Sequence, residues 1–304
     1  MTTCRDNAHR FNISDHFATD IIVQDGNFAT LDEVDTTTPG SLVYCQTLHY
    51  LLKAADNPHI SAVVCPPALA EELSGTSKAI VAADDPRRAF FELYLRLKAS
   101  GDILPQMSYG IGEGCSIHHS AVVSPKARLG NRVVVGAHSV IEDYCELGDD
   151  VEIGANVVIG AEGLLTLRQP DGRLVRVSHA GGVMISEGCQ ILSGAVIAKS
   201  LFRRFTYIGP HSQIGIMTNI GHGAYVGEAC VISGNSVIAG RSRLEDRVWV
   251  GTSVSVAQGL IVGQGAKIKM GAVVVADVPA GAVMSGNFAV NHRVNMARYL
   301  KGTA

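Results

Sequence analysis

From residue 208 to residue 274 the chain reads IGPHSQ, IGIMTN, IGHGAY, VGEACV, ISGNSV, IAGRSR, LEDRVW, VGTSVS, VAQGLI, VGQGAK, IKMGAV and V, and every sixth residue is aliphatic. The ladder is Ile208, Ile214, Ile220, Val226, Ile232, Ile238, Leu244, Val250, Val256, Val262, Ile268 and Val274, often with glycine next. Upstream, the same beat runs from Ile111 through Ile117, Val123, Leu129, Val135, Ile141, Leu147 and Ile153 to Ile159. It resumes at Ile185, Ile191 and Ile197, then slips by one residue before Ile208. Repetition at a short fixed period over such a length marks a solenoid.

The physics of the repeat is that of a parallel β-helix. Strand side chains alternate faces, so the residue two before each ladder position shares its inward face. That slot holds small or modest residues: Cys115, Ala121, Ala127, Val133, Ser139, Cys145, Cys189, Ala195, Ala224, Cys230 and Ser236. A bulky aliphatic with a small neighbour fills a narrow triangular core. Three hexads then make one three-sided coil, and coils stack at the strand spacing of about 4.8 Å. Four of the seven cysteines occupy the small slot, so they read as packing. With no C-x-x-C pair, neither a disulfide framework nor a zinc site is expected, and the thiols point to a reducing cytoplasm.

The beat defines a domain over 106–287. Residues 161–182 interrupt it, with the turn signal Gln169-Pro170-Asp171-Gly172, and read as a loop thrown out from the prism. Residues 1–105 lack the period. Ser61–Cys65 and Lys78–Ala82 look like short buried strands, and Asp84-Asp85-Pro86 opens a helix whose apolar stripe is Ala89, Phe90, Leu93, Tyr94 and Leu97. This is a small α/β domain. The tail at 288–304 carries Arg293, Arg298 and Lys301 and no acid, on a short helix at 291–301. That helix caps the last coil, docks an acidic acyl carrier or coenzyme phosphate, or does both. The formal charge of −3 gives no footprint for nucleic acid, and no apolar run is long enough for an integral membrane segment.

Among eleven histidines, His222 stands out in Asn219-Ile220-Gly221-His222-Gly223, two residues past a ladder position and so at an outward corner. Eighteen residues on, Gly240 occupies the same corner one coil higher. An imidazole beside a backbone N–H is the pair acyl transfer needs: a base for the attacking amine and a donor for the oxyanion. Spacing alone favours a surface histidine on a turn. Trp249 lies between the inward slots Val248 and Val250 and points outward, to a subunit contact or an acyl chain. Arg241, Arg243 and Arg247 form either a solvated face or a grip on donor phosphates.

Further stretches add to this. They are Gly160-Ala161-Glu162-Gly163-Leu164, the run Val175 to Val183 through Ser178-His179-Ala180-Gly181-Gly182, and Gly40-Ser41-Leu42-Val43-Tyr44 with Tyr50 six residues on. With the Gly221-His222 corner and Gly240, they resemble the UDP-3-O-acylglucosamine N-acyltransferases of lipid A synthesis, over most of the chain. The resemblance implies a left-handed parallel β-helix, a homotrimer with active sites between subunits, and direct transfer without an acyl-enzyme. It implies His222 as base, Gly240 as oxyanion donor, and Tyr44 and Tyr50 holding the uracil or thymine ring. Asn219, His179, Arg241 and Trp249 are the further candidates for substrate contact. No permanently bound cofactor and no metal are expected; the acyl donor is a thioester of coenzyme A or acyl carrier protein.

The family's second histidine falls at Gly259 here, and Thr47 stands near where its asparagine would be. The expected acceptor is therefore a different nucleotide-linked amino sugar, for O-antigen or another surface glycan related to lipopolysaccharide. The lipid A reaction itself and a non-catalytic scaffold are the alternatives.

Overall fold

The computed structural model describes residues 11–286 and Arg293. The tail over 288–304, with its expected helix, lies outside the described residues apart from Arg293.

The first part of the chain forms β1 (Ile22–Gln24), β2 (Thr30–Leu31), β3 (Ser41–Tyr44), α1 (Leu48–Asp56), β4 (Ile60–Cys65), β5 (Ala79–Ala82) and α2 (Pro86–Ser100). The sheet order is β1-β5-β4-β3-β2, parallel except where β1 meets β5. One face buries Val43, Val63 and Cys65 beneath Leu51 and Ala54 of α1. The other buries Leu42, Val64 and Val81 beneath Phe90, Leu93, Tyr94 and Leu97 of α2. α2 starts where Asp85 accepts from the Arg88 amide at 3.0 Å, and it stops at Gly101, which has φ +88°.

From Gly110 onward, strands of two to four residues stack into three long parallel sheets of eight, nine and eight strands. Each coil gives one strand to each face, and the coils wind into a left-handed parallel β-helix. Ile220 pairs with Ile238 and Ile238 with Val256, so the aliphatic ladder is the buried seam of one face. The small slot does more than fill space. Ser139 Oγ donates to the Gly154 carbonyl at 2.7 Å, Ser212 Oγ to Gly227 at 2.8 Å, and Ser236 Oγ to Gly251 at 3.0 Å. Cys189 and Cys230 make the same bond at 3.1 Å to Gly209 and Glu245. Burial pushes the Cys145 thiol up to about 12 and Cys189 up to about 11, so these are protonated donors within the core.

Two insertions leave the prism, both at the corner between the third face and the first. The earlier is a hairpin, β6 (Thr166–Arg168) and β7 (Leu174–Arg176), antiparallel and closed by the turn at Gln169–Gly172, where a plain loop was expected. The later is the segment 199–204. What the six-residue beat registers as a slip of one is an insertion of five residues: Ile197 pairs with Ile220, twenty-three residues on, whereas Ile220 pairs with Ile238, eighteen on. Leu167, Val177 and Ala180 of the first insertion and Leu201 and Phe202 of the second share one core with α2. Tyr94 Oη lies 2.6 Å from the Leu201 carbonyl and 3.0 Å from that of Ser178. The α/β domain is thus fastened to the flank of the prism.

Candidate active site

The insertions leave at the very corner that carries His222, in the two coils below it. His222 follows the strand Asn219–Ile220 and precedes Gly223, whose φ of +66° turns the chain toward Tyr225–Val226. One coil higher, the Arg241 amide donates to the His222 carbonyl at 2.9 Å and fixes the two corners in register. The imidazole lies against Gly240: a Cβ there would fall 2.6 Å from His222 Nε2. Glycine is required at that position for the ring to occupy it. The Gly240 amide makes no hydrogen bond among the described residues.

His222 is half-buried, and the medium around it is hostile to charge. Burial first, then His179 and Arg241, hold its imidazole down to about 4. His179 comes from the returning leg of the hairpin, packed edge-to-face on His222 with ring centroids 5.4 Å apart. It is 2% exposed, and burial lowers its pKa as well.

In front of the histidine is a cleft of about 240 Å³ between prism and α/β domain, lined by Asp32, Glu33, Phe202, Arg204, Tyr207 and Tyr225 among others. Arg241 Nη1 meets Glu33 Oε2 at 2.7 Å, the Gln258 amide oxygen faces the same guanidinium, and Arg204 meets buried Asp32. On the adjoining face Tyr207 and Tyr225 stack at 5.1 Å, and Arg243 covers Tyr225 at 4.1 Å.

The structure therefore brings together His222, Gly240, His179 and Arg241. Arg241 lines the cleft and is paired there with Glu33. Tyr44 packs on Phe90 and Phe91 at 5.2 and 5.7 Å and lies within electrostatic reach of Glu33 and Arg241, at the margin of the cleft. Tyr50 is 52% exposed on α1, with ring contacts to His49 and Lys53. Asn219 is exposed on the third face, one residue before the ladder. Trp249 does not join the cluster within one chain: it sits on the second face, opposite this corner, beneath Lys269 at 5.4 Å. Gly259 has φ +74° and open space around it. The acidic segment Asp32–Asp35 carries no sequence signal; it is visible only once its partners, more than 160 residues away, are in place.

The family model for the bacterial transferase hexapeptide (six repeats) matches residues 109–143. The matched stretch is the opening part of the six-residue beat. The repeat continues far beyond the matched coils, through Val274. Among solved structures, UDP-N-acetylglucosamine acyltransferase from Campylobacter jejuni is 21% identical, with a TM-score of 0.50 over 64% of this chain and 75% of that one. The Arabidopsis UDP-N-acetylglucosamine acyltransferase is 21% identical, with a TM-score of 0.42 over 64% and 75%. WeeI from Acinetobacter baumannii AYE is 16% identical, with a TM-score of 0.31 over 84% and 87%. At 21% identity the likeness to the first of these is one of fold alone. No curated protein sequence matches the hexapeptide-repeat chain. Among its described residues no group of three or more His, Cys, Asp or Glu is placed to hold a metal, and no helix is long and apolar enough to cross a membrane.

Proposed function

We propose that the protein is an N-acyltransferase that moves an acyl group from a coenzyme A or acyl-carrier-protein thioester to the amino group of a nucleotide-linked amino sugar. The observation that carries this reading is the His222 imidazole laid on Gly240, whose amide is free, at the mouth of a cleft. The sugar amine attacks the thioester carbonyl, and the new oxyanion accepts from the Gly240 N–H. The nitrogen becomes strongly acidic as its lone pair enters the C–N bond. A base held down to about 4 therefore suffices to take that proton at this stage. The C–S bond then breaks, and the thiolate recovers the proton from the imidazolium.

Asp32, Glu33, Arg204 and Arg241 bound the space where the sugar enters, with Asn219 at its outer edge. Tyr44 and Tyr50, at the end of β3 and in the first turn of α1, are the aromatic pair for a uracil or thymine ring. The outward row of the third face carries Val122, Val140, Val158, Val196, Val237 and Val273, interrupted by Asn219 and Ser255, and its end members Val122 and Val273 are 60% and 71% exposed. Packing of that face against a neighbouring copy, repeated around a three-fold axis, builds a homotrimer, with Trp249 at a subunit boundary. The donors place the reaction in the cytoplasm.

His222→Ala is the test. Its kcat, measured with acetyl- and hydroxybutyryl-coenzyme A and a panel of nucleotide-linked amino sugars, is expected to fall about 10²- to 10⁴-fold while nucleotide binding survives. Turnover near that of the wild type would remove His222 from the mechanism.

A further inference from the structure

His179 occupies a seat that a purely structural residue does not need. Its backbone N–H donates to Glu162 Oε2 at 2.7 Å, and its Nδ1 lies 3.0 Å from the Lys199 carbonyl. The Gly163 amide also points at Nδ1, at 3.4 Å, but the closer partner is a carbonyl, which can only accept, so Nδ1 carries the proton and Nε2 is left as a bare lone pair. No hydrogen bond among the described residues engages that Nε2. Gly163 is glycine in the same cause, since a Cβ there would overlap His179 Cε1. Glu162 and Gly163 come from the outgoing leg of the hairpin, His179 from the returning leg, and Lys199 from the second insertion. Both departures from the prism are therefore spent on one buried imidazole. A leucine would fill the space without the cost of burying a polar ring. The one thing the imidazole offers that leucine does not is a rigid polar edge, set at an interplanar angle of 71° to His222.

We propose that His179 is a positioning residue for His222, fixing the plane of that ring over Gly240 from a seat built by the two insertions. This rests on the reading of His222 as the base. Without His179 the His222 side chain has Gly240 on one side and the open cleft on the other, and its second torsion is free to turn. The polar groups packed around the pair are Glu162, Lys98 and Lys199 on the side of His179, and Arg241 on the side of His222. His179 is one of the groups that keep His222 neutral. Burial lowers the pKa of His179 as well, which favours the neutral ring beside His222.

The test uses His179→Ala, His179→Gln and His179→Phe in the full chain, with thermal unfolding as the control for folding. Two readouts are taken. The first is the ¹⁵N spectrum of histidine-labelled protein without substrate, with His222→Ala assigning the ring at 222; it reports tautomer and titration midpoint. The second is the pH profile of kcat/KM together with kcat. In His179→Ala the His222 ring nitrogens are expected to show mixed tautomers and a midpoint moved up from about 4. kcat is expected to fall about 10- to 100-fold with KM for both substrates within about twofold, since a misplaced base costs rate rather than affinity. His179→Phe keeps an edge on His222 and is expected to recover part of kcat, whereas His179→Gln is not. Unchanged ring signals at 222 in His179→Ala overturn the proposal. If the ring signals shift while even the wild type transfers no acyl group, the positioning stands and the reading of the reaction fails.

Discussion

A methyl group at 240 would stand 2.6 Å from His222 Nε2, so the side chain and the glycine form one unit. Gly240→Ala is expected to swing the imidazole away and lower kcat by at least tenfold, with binding of the nucleotide intact; steady-state kinetics beside a nucleotide titration check this. His222 also sets the acid limit of the reaction. Its ordinary value of 6.5 is brought to about 4 by burial first and by two neighbours after, so it remains an available base through pH 5. The acid limb of kcat/KM is expected near 4; a limb near 6.5 would belong to another group. The same depression works against the fold in acid. The unfolded chain takes up a proton near 6.5 that the folded chain refuses until about 4, so stability drains as pH falls through that window. At this scale the sequence revealed a good deal: stepping by eighteen places Gly240 over His222 without any coordinates. It did not reveal His179 beside His222, because His179 sits inside the first insertion and the second falls in the forty-three residues between them, and an insertion destroys the arithmetic on which the stepping depends.

The elements that matter most are those that break the beat. The hairpin and the segment 199–204 carry Leu167, Val177, Leu201 and Phe202 into the core of the α/β domain, and Tyr94 of α2 pins both through the Ser178 and Leu201 carbonyls. Tyr94→Phe keeps the packing and strips the donor from buried acceptors, a loss of about 1–3 kcal/mol, readable as a lower denaturant midpoint at constant slope. The helix itself was legible from Pro86 and the spacing of Phe90, Tyr94 and Leu97. The hairpin was legible only as a gap with a turn in it, since strands of three residues, one of them exposed throughout, carry too little alternation to declare themselves. The insertion at 199–204 was hidden because a step of eleven differs from two hexads by one, and so imitates a slip.

For the whole molecule the ladder from Ile111 to Val274 gave the architecture, while the arrangement of the α/β domain could not be read from it. Its grip on the prism depends on pairs such as Glu33 with Arg241, separated by 208 residues, and no periodicity reports those. The valine row of the third face makes a prediction for the assembly. Val237, 44% exposed, belongs to that row. Val237→Glu places a charge in that contact and is expected to shift the protein from trimer toward monomer in light scattering, with the far-ultraviolet spectrum unchanged.

The uninterrupted coils above Gln258 answer only to their own neighbours. A gain or loss of eighteen residues there would move the far tip of the molecule by one strand spacing, about 4.8 Å, and would leave every contact of His222 as it is. The same change below it would strike the insertions and unseat the α/β domain. Length is thus free to drift over evolutionary time on one side of the reaction centre and is frozen on the other.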